Sequence, residues 1–196
     1  MRNTFLIISL IAVSITFAVI GCTSNASDKN NKSTKIDTVQ QIVKGEYLVT
    51  IAGCDDCHSP KRMGAHGPEI VPELRFSGYP SSRPFQKPDS NAIKQGWVLM
   101  GADLTSAVGP WGMSFAANIS SDNTGIGAWK EGQFITALRK GKFKGLETGR
   151  NLLPPMPWYN YHTMKDEDIK AIFAFLKSTK PVNNVVPAPK ELSAFR

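Results

Sequence analysis

Cysteine is scarce in this chain: among 196 residues there are three, Cys22, Cys54 and Cys57. A structural zinc site wants a second Cys/His pair besides Cys54 and Cys57, and only the distant Cys22 is left to supply one. A βαβ pattern around Cys54 and Cys57 is also missing, which argues against a thioredoxin-type thiol pair. No internal repeat is visible. No run of apolar residues reaches the ~20 that a membrane-spanning helix needs. Acidic residues are outnumbered by basic ones, 16 against 23. The basic residues are not interleaved with aromatic ones and match no nucleic-acid-binding fold signal, so the excess points to acidic protein surfaces as partners.

What is present begins with Cys54-Asp55-Asp56-Cys57-His58. Cys-x-x-Cys-His is the attachment signature of a c-type haem. Two thiols three positions apart each add to one porphyrin vinyl group, and the adjacent imidazole reaches the iron. The motif occurs once, so one covalent haem c and one iron are expected.

Near the N-terminus, Arg2 precedes an apolar run from Phe5 to Ile20, and Val19-Ile20-Gly21-Cys22 is similar to a lipobox. This reads as a lipoprotein signal peptide over residues 1–21 with Cys22 as the lipidated mature N-terminus. The alternative is an uncleaved anchor. Both place the domain outside the cytoplasm, in the bacterial cell envelope on its periplasmic or extracytoplasmic face. Cleavage would remove Arg2 as the only charged residue and take the formal charge from +7 to +6. Residues 22–35, rich in Ser, Asn, Thr and Lys, read as a flexible tether. Residues 36–196 are then a single domain of about 160 residues.

Three segments carry helical periodicity. The first, from about Asp37 to Thr50, puts Val39, Ile42 and Val43 on one side with Tyr47 continuing it, and leads into the haem motif. Gly45 in its interior costs about 1 kcal/mol relative to Ala, which predicts a close helix crossing there. The second covers about Lys130 to Lys140, with Phe134, Ala137 and Leu138 as its stripe and Gly141 as its stop. The third runs from Asp166 to Ser178, with three acidic residues at its positive end and Ile169, Ile172, Phe173 and Leu176 in register. Phe173 or Phe175 is the expected partner for Gly45. Residues 59–120 are crowded with Pro, Gly and aromatics and lack periodicity. They read as an ordered but irregular extension over the haem side, with few strands.

The sixth iron ligand decides the function. Met156 is the favoured candidate, because Leu153-Pro154-Pro155-Met156-Pro157-Trp158 presents its thioether from a stiff loop. Met113 and His162 are the alternatives. Met63, Met100 and Met164 read as packing or surface residues and His66 as exposed. His/Met ligation fills all six positions and suits electron transfer.

These residues resemble the class I c-type cytochromes, and more closely the single-haem domains of bacterial dehydrogenase-associated cytochromes. The resemblance is carried by Gly45-Glu46-Tyr47-Leu48, by the run from Asn118 to Trp129, by Pro154-Pro155-Met156-Pro157-Trp158 and by Asp166 to Leu176. It implies a mostly α fold in which the terminal helices cross, with Cys54 and Cys57 holding the porphyrin and His58 and Met156 ligating iron. It also implies that the Asn118 to Trp129 segment lines the haem crevice. The function implied is a membrane-tethered electron carrier rather than an enzyme, working between a periplasmic dehydrogenase and an oxidase or other acceptor. The basic cluster Arg139, Lys140, Lys142, Lys144 and Arg150 is either a docking patch or a solvated helix end. Two other readings remain at this point: a haem enzyme or ligand sensor with an open iron site, and a haem-free thiol oxidoreductase.

Overall fold

The computed structural model describes residues 26–195, with side chains from Asp37 onward. Cys22, the apolar run before it and the proposed cleavage site lie outside the described residues.

Helix α1 spans Ala26–Ile51 and α6 spans Asp166–Ser178, and the two pack against each other. Helix α1 thus begins well before Asp37 and takes in much of the segment read as a tether; lengthening an existing helix requires no new nucleus. The crossing falls at Gly45. A Cβ there would overlap the Ala171 carbonyl and stand 2.7 Å from the Phe175 Cβ, so only glycine lets the two backbones come this close. Lys44 closes the crossing with an ion pair to Asp168 at 2.6 Å.

The buried side of α1 differs from the expected one. Val39, Val43 and Tyr47 are exposed, whereas Gly45 and Val49 are buried and Ile42 is half-buried. The helix turns its glycine to α6, and the face is set by that backbone contact. Val49 and Ile42 add apolar burial on the same face.

Helix α4, Glu131–Lys140, takes the expected place, with the Gln133 side chain accepting from the Lys130 N–H at 2.9 Å. Gly141 ends it in the left-handed region at φ 60°, as a C-terminal glycine does. Phe134, Leu138, Ile169, Ile172, Phe175 and Leu176 form the main core between these helices. The short helices α2 (Cys54–His58), α3 (Ser90–Lys94) and α5 (Trp158–Tyr161) complete the helical part.

The extension is more regular than its composition suggests. It holds an antiparallel hairpin, β1 (Lys61–Gly64) with β2 (Gly67–Ile70), and a three-stranded antiparallel sheet, β3 (Leu99–Met100), β4 (Ser106–Gly109) and β5 (Gly112–Phe115). Its Ile93, Val108 and Met113 build a second small core. Phe76 links the extension to the main core, meeting Phe175 edge to face at 6.0 Å between ring centroids. It holds a φ of 64°, a strained value for a residue with a side chain. The Ser59 Oγ accepts from its N–H at 2.9 Å, and its carbonyl accepts from Ile119 and Ser120.

The loop before β4 is braced by a largely buried charge pair. Arg83 Nη2 stands 2.7 Å from the Oδ2 of Asp103, off the hydrogen-bonding direction, while the Asp103 Oδ1 accepts from the hydroxyl and N–H of Thr105. Burial pushes the Asp103 carboxyl up, but Arg83 and the Thr105 donors outweigh it and hold the pKa below its ordinary 3.8.

Two outcomes follow from this packing. Gly45→Ala should lower stability by about 1–3 kcal/mol through overpacking, whereas Gly132→Ala, at a position in α4 with open space, should be neutral or stabilising by up to ~1 kcal/mol. Thermal unfolding of both variants checks this. The Asp103 contribution should be whole above pH 3.8 and drain away as the pH falls through the lower folded value. Urea unfolding should therefore show the wild type about 1–3 kcal/mol more stable than Asp103→Asn at neutral pH, with the gap closing in acid.

Candidate functional site

Cys54, Cys57, His58 and Met156 line one cavity of about 400 Å³, walled largely by apolar side chains such as Ile126, Trp129, Phe134 and Leu138. The volume lies in the range of small-molecule and cofactor pockets, about 300–1,000 Å³.

The Cys-x-x-Cys-His turn is α2, entered through Gly53 in the left-handed region. Its intervening Asp55 is anchored. Asp55 accepts from Arg75, with Nη2 at 2.8 Å and Nε within 3.3 Å of both oxygens, and from the Ser59 hydroxyl. Arg75 in turn lies 4.5 Å over the Phe76 ring. Asp56 is exposed. The extension therefore holds the motif through a fork of hydrogen bonds that no local spacing could have announced.

His58 Nδ1 lies 2.7 Å from the Ala117 carbonyl. A carbonyl can only accept, so Nδ1 carries the proton and Nε2 keeps a lone pair, the form in which an imidazole binds metal. Burial lowers the His58 pKa, opposed by that same hydrogen bond, and favours the neutral ring. The His58 backbone carbonyl accepts from Gly78 at 2.8 Å, a second grip from the extension.

The two thiols are the reverse of activated. Burial, with the charges of Asp55 and Asp56, pushes Cys54 up to about 12, and burial with Asp56 raises Cys57. A thiol oxidoreductase needs its nucleophile pKa lowered, so that reading loses its chemistry here.

Met156 is half-buried and packs against the main core. Its loop is tied on both sides. The Ser114 hydroxyl on β5 donates to the Pro154 carbonyl at 2.6 Å, and the Tyr161 hydroxyl on α5 donates to the Ala52 carbonyl at 2.9 Å, just ahead of the haem motif. The other candidates sit elsewhere. Met113 is buried in the second core away from the cavity, and His162 is exposed with Nδ1 on the Tyr159 carbonyl. Met63, Met100 and His66 are exposed. Met164, read as packing, does reach the cavity wall. Asn118, Ile119, Ile126 and Trp129 line it too, as the resemblance implies.

Arg150, read as part of a basic surface cluster, also reaches the cavity wall. It lies 3.9 Å over the Phe143 ring, and burial lowers its pKa. The rest of that cluster is largely occupied: Arg139 pairs with Asp166, Lys140 with Glu147, and Lys142 donates to Asn151. Only the folded loop from 141 to 152 brings Arg150 to the cavity, and no sequence pattern marks it.

Comparison with known proteins agrees with this geometry. The family model described as Cytochrome c matches residues 42–180. The fructose dehydrogenase cytochrome subunit of Gluconobacter japonicus is 29% identical over 156 residues, 79% of this chain and 24% of that protein. The gluconate 2-dehydrogenase cytochrome c subunit of Pantoea cypripedii is 29% identical over 143 residues, 72% of this chain and 24% of that protein. A nicotinate dehydrogenase subunit of Pseudomonas putida is 36% identical over 80 residues, 40% of this chain and 6% of that protein. The chain thus spans about a quarter or less of the length of these relatives. An apolar cavity with two cysteines and a metal-ready imidazole on its wall fits a covalently attached porphyrin. The chain belongs to the cytochrome c family, and with that membership come covalently bound haem c, its iron and the role of electron carrier rather than catalyst.

Proposed function

We propose that this chain is a membrane-tethered cytochrome c that passes electrons from a periplasmic dehydrogenase to a downstream acceptor. Cys54 and Cys57 would hold the porphyrin through their sulfurs, and His58 and Met156 would supply the protein ligands to its iron. The observation that carries the ligation is that Met156 and His58 line the same cavity, whereas Met113 and His162 do not. The haem supplies one-electron iron chemistry. The protein residues orient the imidazole through Ala117, keep the thioether in a tied loop and exclude water with an apolar wall.

A dehydrogenase as electron donor is supported by the relatives, which are cytochrome subunits of fructose and gluconate dehydrogenases. Lipid at Cys22 and a position on the extracytoplasmic side are supported by the lipobox-like Val19 to Cys22 and by the export that c-type attachment requires. An acyl chain contributes about 0.8 kcal/mol per buried CH₂, so more than one would hold the domain stably.

Because Met164 also lines the cavity, the test compares two variants. In haem-loaded protein, Met156→Ala should lose the weak sulfur-to-iron absorption band at the red end of the Fe(III) spectrum and gain carbon monoxide binding in the Fe(II) state. Met164→Ala should keep the band and stay closed. Carbon monoxide binding by the wild type would overturn the closed-carrier reading.

A further inference from the structure

Lys61 lies three residues beyond His58, and its ammonium donates to the carbonyls of Asp55 at 3.1 Å, Asp56 at 2.7 Å and Ser59 at 3.0 Å. It also reaches the Asp103 carbonyl at 3.3 Å across the extension. Three protons are shared among four carbonyls, and three of those carbonyls belong to the turn that carries Cys57 and His58 or follow it directly. The cation is thereby fixed in position at the haem motif.

Its charge is also uncancelled. Among the described residues, no carboxylate forms an ion pair with Lys61; Asp55 is taken by Arg75 at 2.8 Å and Asp103 by Arg83 at 2.7 Å. Asp56 is exposed, where water screens it. The Lys61 contacts are to backbone dipoles, which hold an ammonium without neutralising it.

We propose that Lys61 is a potential-setting residue: its fixed positive charge on the haem-motif turn favours Fe(II) over Fe(III). Reduction takes one electron from the redox donor and lowers the charge at the iron by one, with no bond made or broken. A neighbouring cation opposes the more positive oxidised state, and at a partly buried position its field is only partly screened. The inference rests on the haem attachment and ligation proposed above.

The test is a redox titration of the full chain matured with haem, comparing wild type, Lys61→Met, Lys61→Gln and Lys61→Arg, with the sulfur-to-iron band as a control for ligation. Lys61→Met should shift the one-electron equilibrium toward Fe(III) by about threefold to tenfold, tenfold being 59 mV, with the band intact, and Lys61→Arg should stay near wild type. Should Lys61→Met fail to mature, Lys61→Gln decides the matter, because it keeps a donor for the same carbonyls without the charge, and it should shift as Met would. A wild-type potential in the uncharged variant with the band intact overturns the proposal, as does an Arg variant shifted as far as the uncharged one. Absence of the band from the wild type itself would instead sink the ligation reading.

Discussion

The approach of Gly45 to the Ala171 carbonyl is the contact on which the rest of the molecule depends. It sets where α1 crosses α6, and α1 runs almost directly into α2, so the crossing also fixes where the haem motif begins. The missing side chain saves more than space. It lets two helix backbones touch, which makes the face of α1 insensitive to the valines and tyrosine on its other side. A helix packed through bulky residues could rotate by a few degrees and repack; one packed through backbone has little such freedom.

The extension is the second constraint. Sequence between a haem motif and the next long helix could have been a loop lying on the surface. Here it is bonded to the motif at several points: Arg75 to Asp55, Gly78 to the His58 carbonyl, Ala117 to the imidazole and Lys61 to the carbonyls of the turn. Phe76 accepts an unfavourable backbone angle in order to place its ring against Phe175. Strain held by hydrogen bonds on both sides of a residue marks a position that the surrounding structure over-determines. The extension is therefore part of the site's wall as well as its cover.

Much of this is legible in the residues, and the exceptions have physical causes. Helices α4 and α6 announce themselves by apolar spacing and by their ends, and the Cys-x-x-Cys-His run announces its cofactor. The crossing at Gly45 is readable because an interior glycine is costly, yet the apolar stripe of α1 points to the wrong face because a glycine adds nothing to such a stripe. The strands of the extension are two to four residues long and rich in glycine, too short for alternation to show. The partners of Asp55 and Lys61 lie up to 42 residues away, and a charge carries no sign of where its partner will be. Met156 stands apart from Met113 for a simple reason: one is framed by prolines, the other sits in a strand that buries it.

The last part of the chain closes the structure. Asn184 donates to the carbonyls of Ser77 and Tyr79, 107 and 105 residues earlier, and Asn118 donates to the Val182 carbonyl. Contacts between residues so far apart form late, since their loops must close first. Until α6 and the Asn184 segment are in place, Gly45 has no helix to rest on. Cys54 and Cys57, half-buried on the cavity wall, owe their cover to that closure. The Asn184 clasp thus makes the enclosure of the two cysteines depend on contacts that span more than a hundred residues.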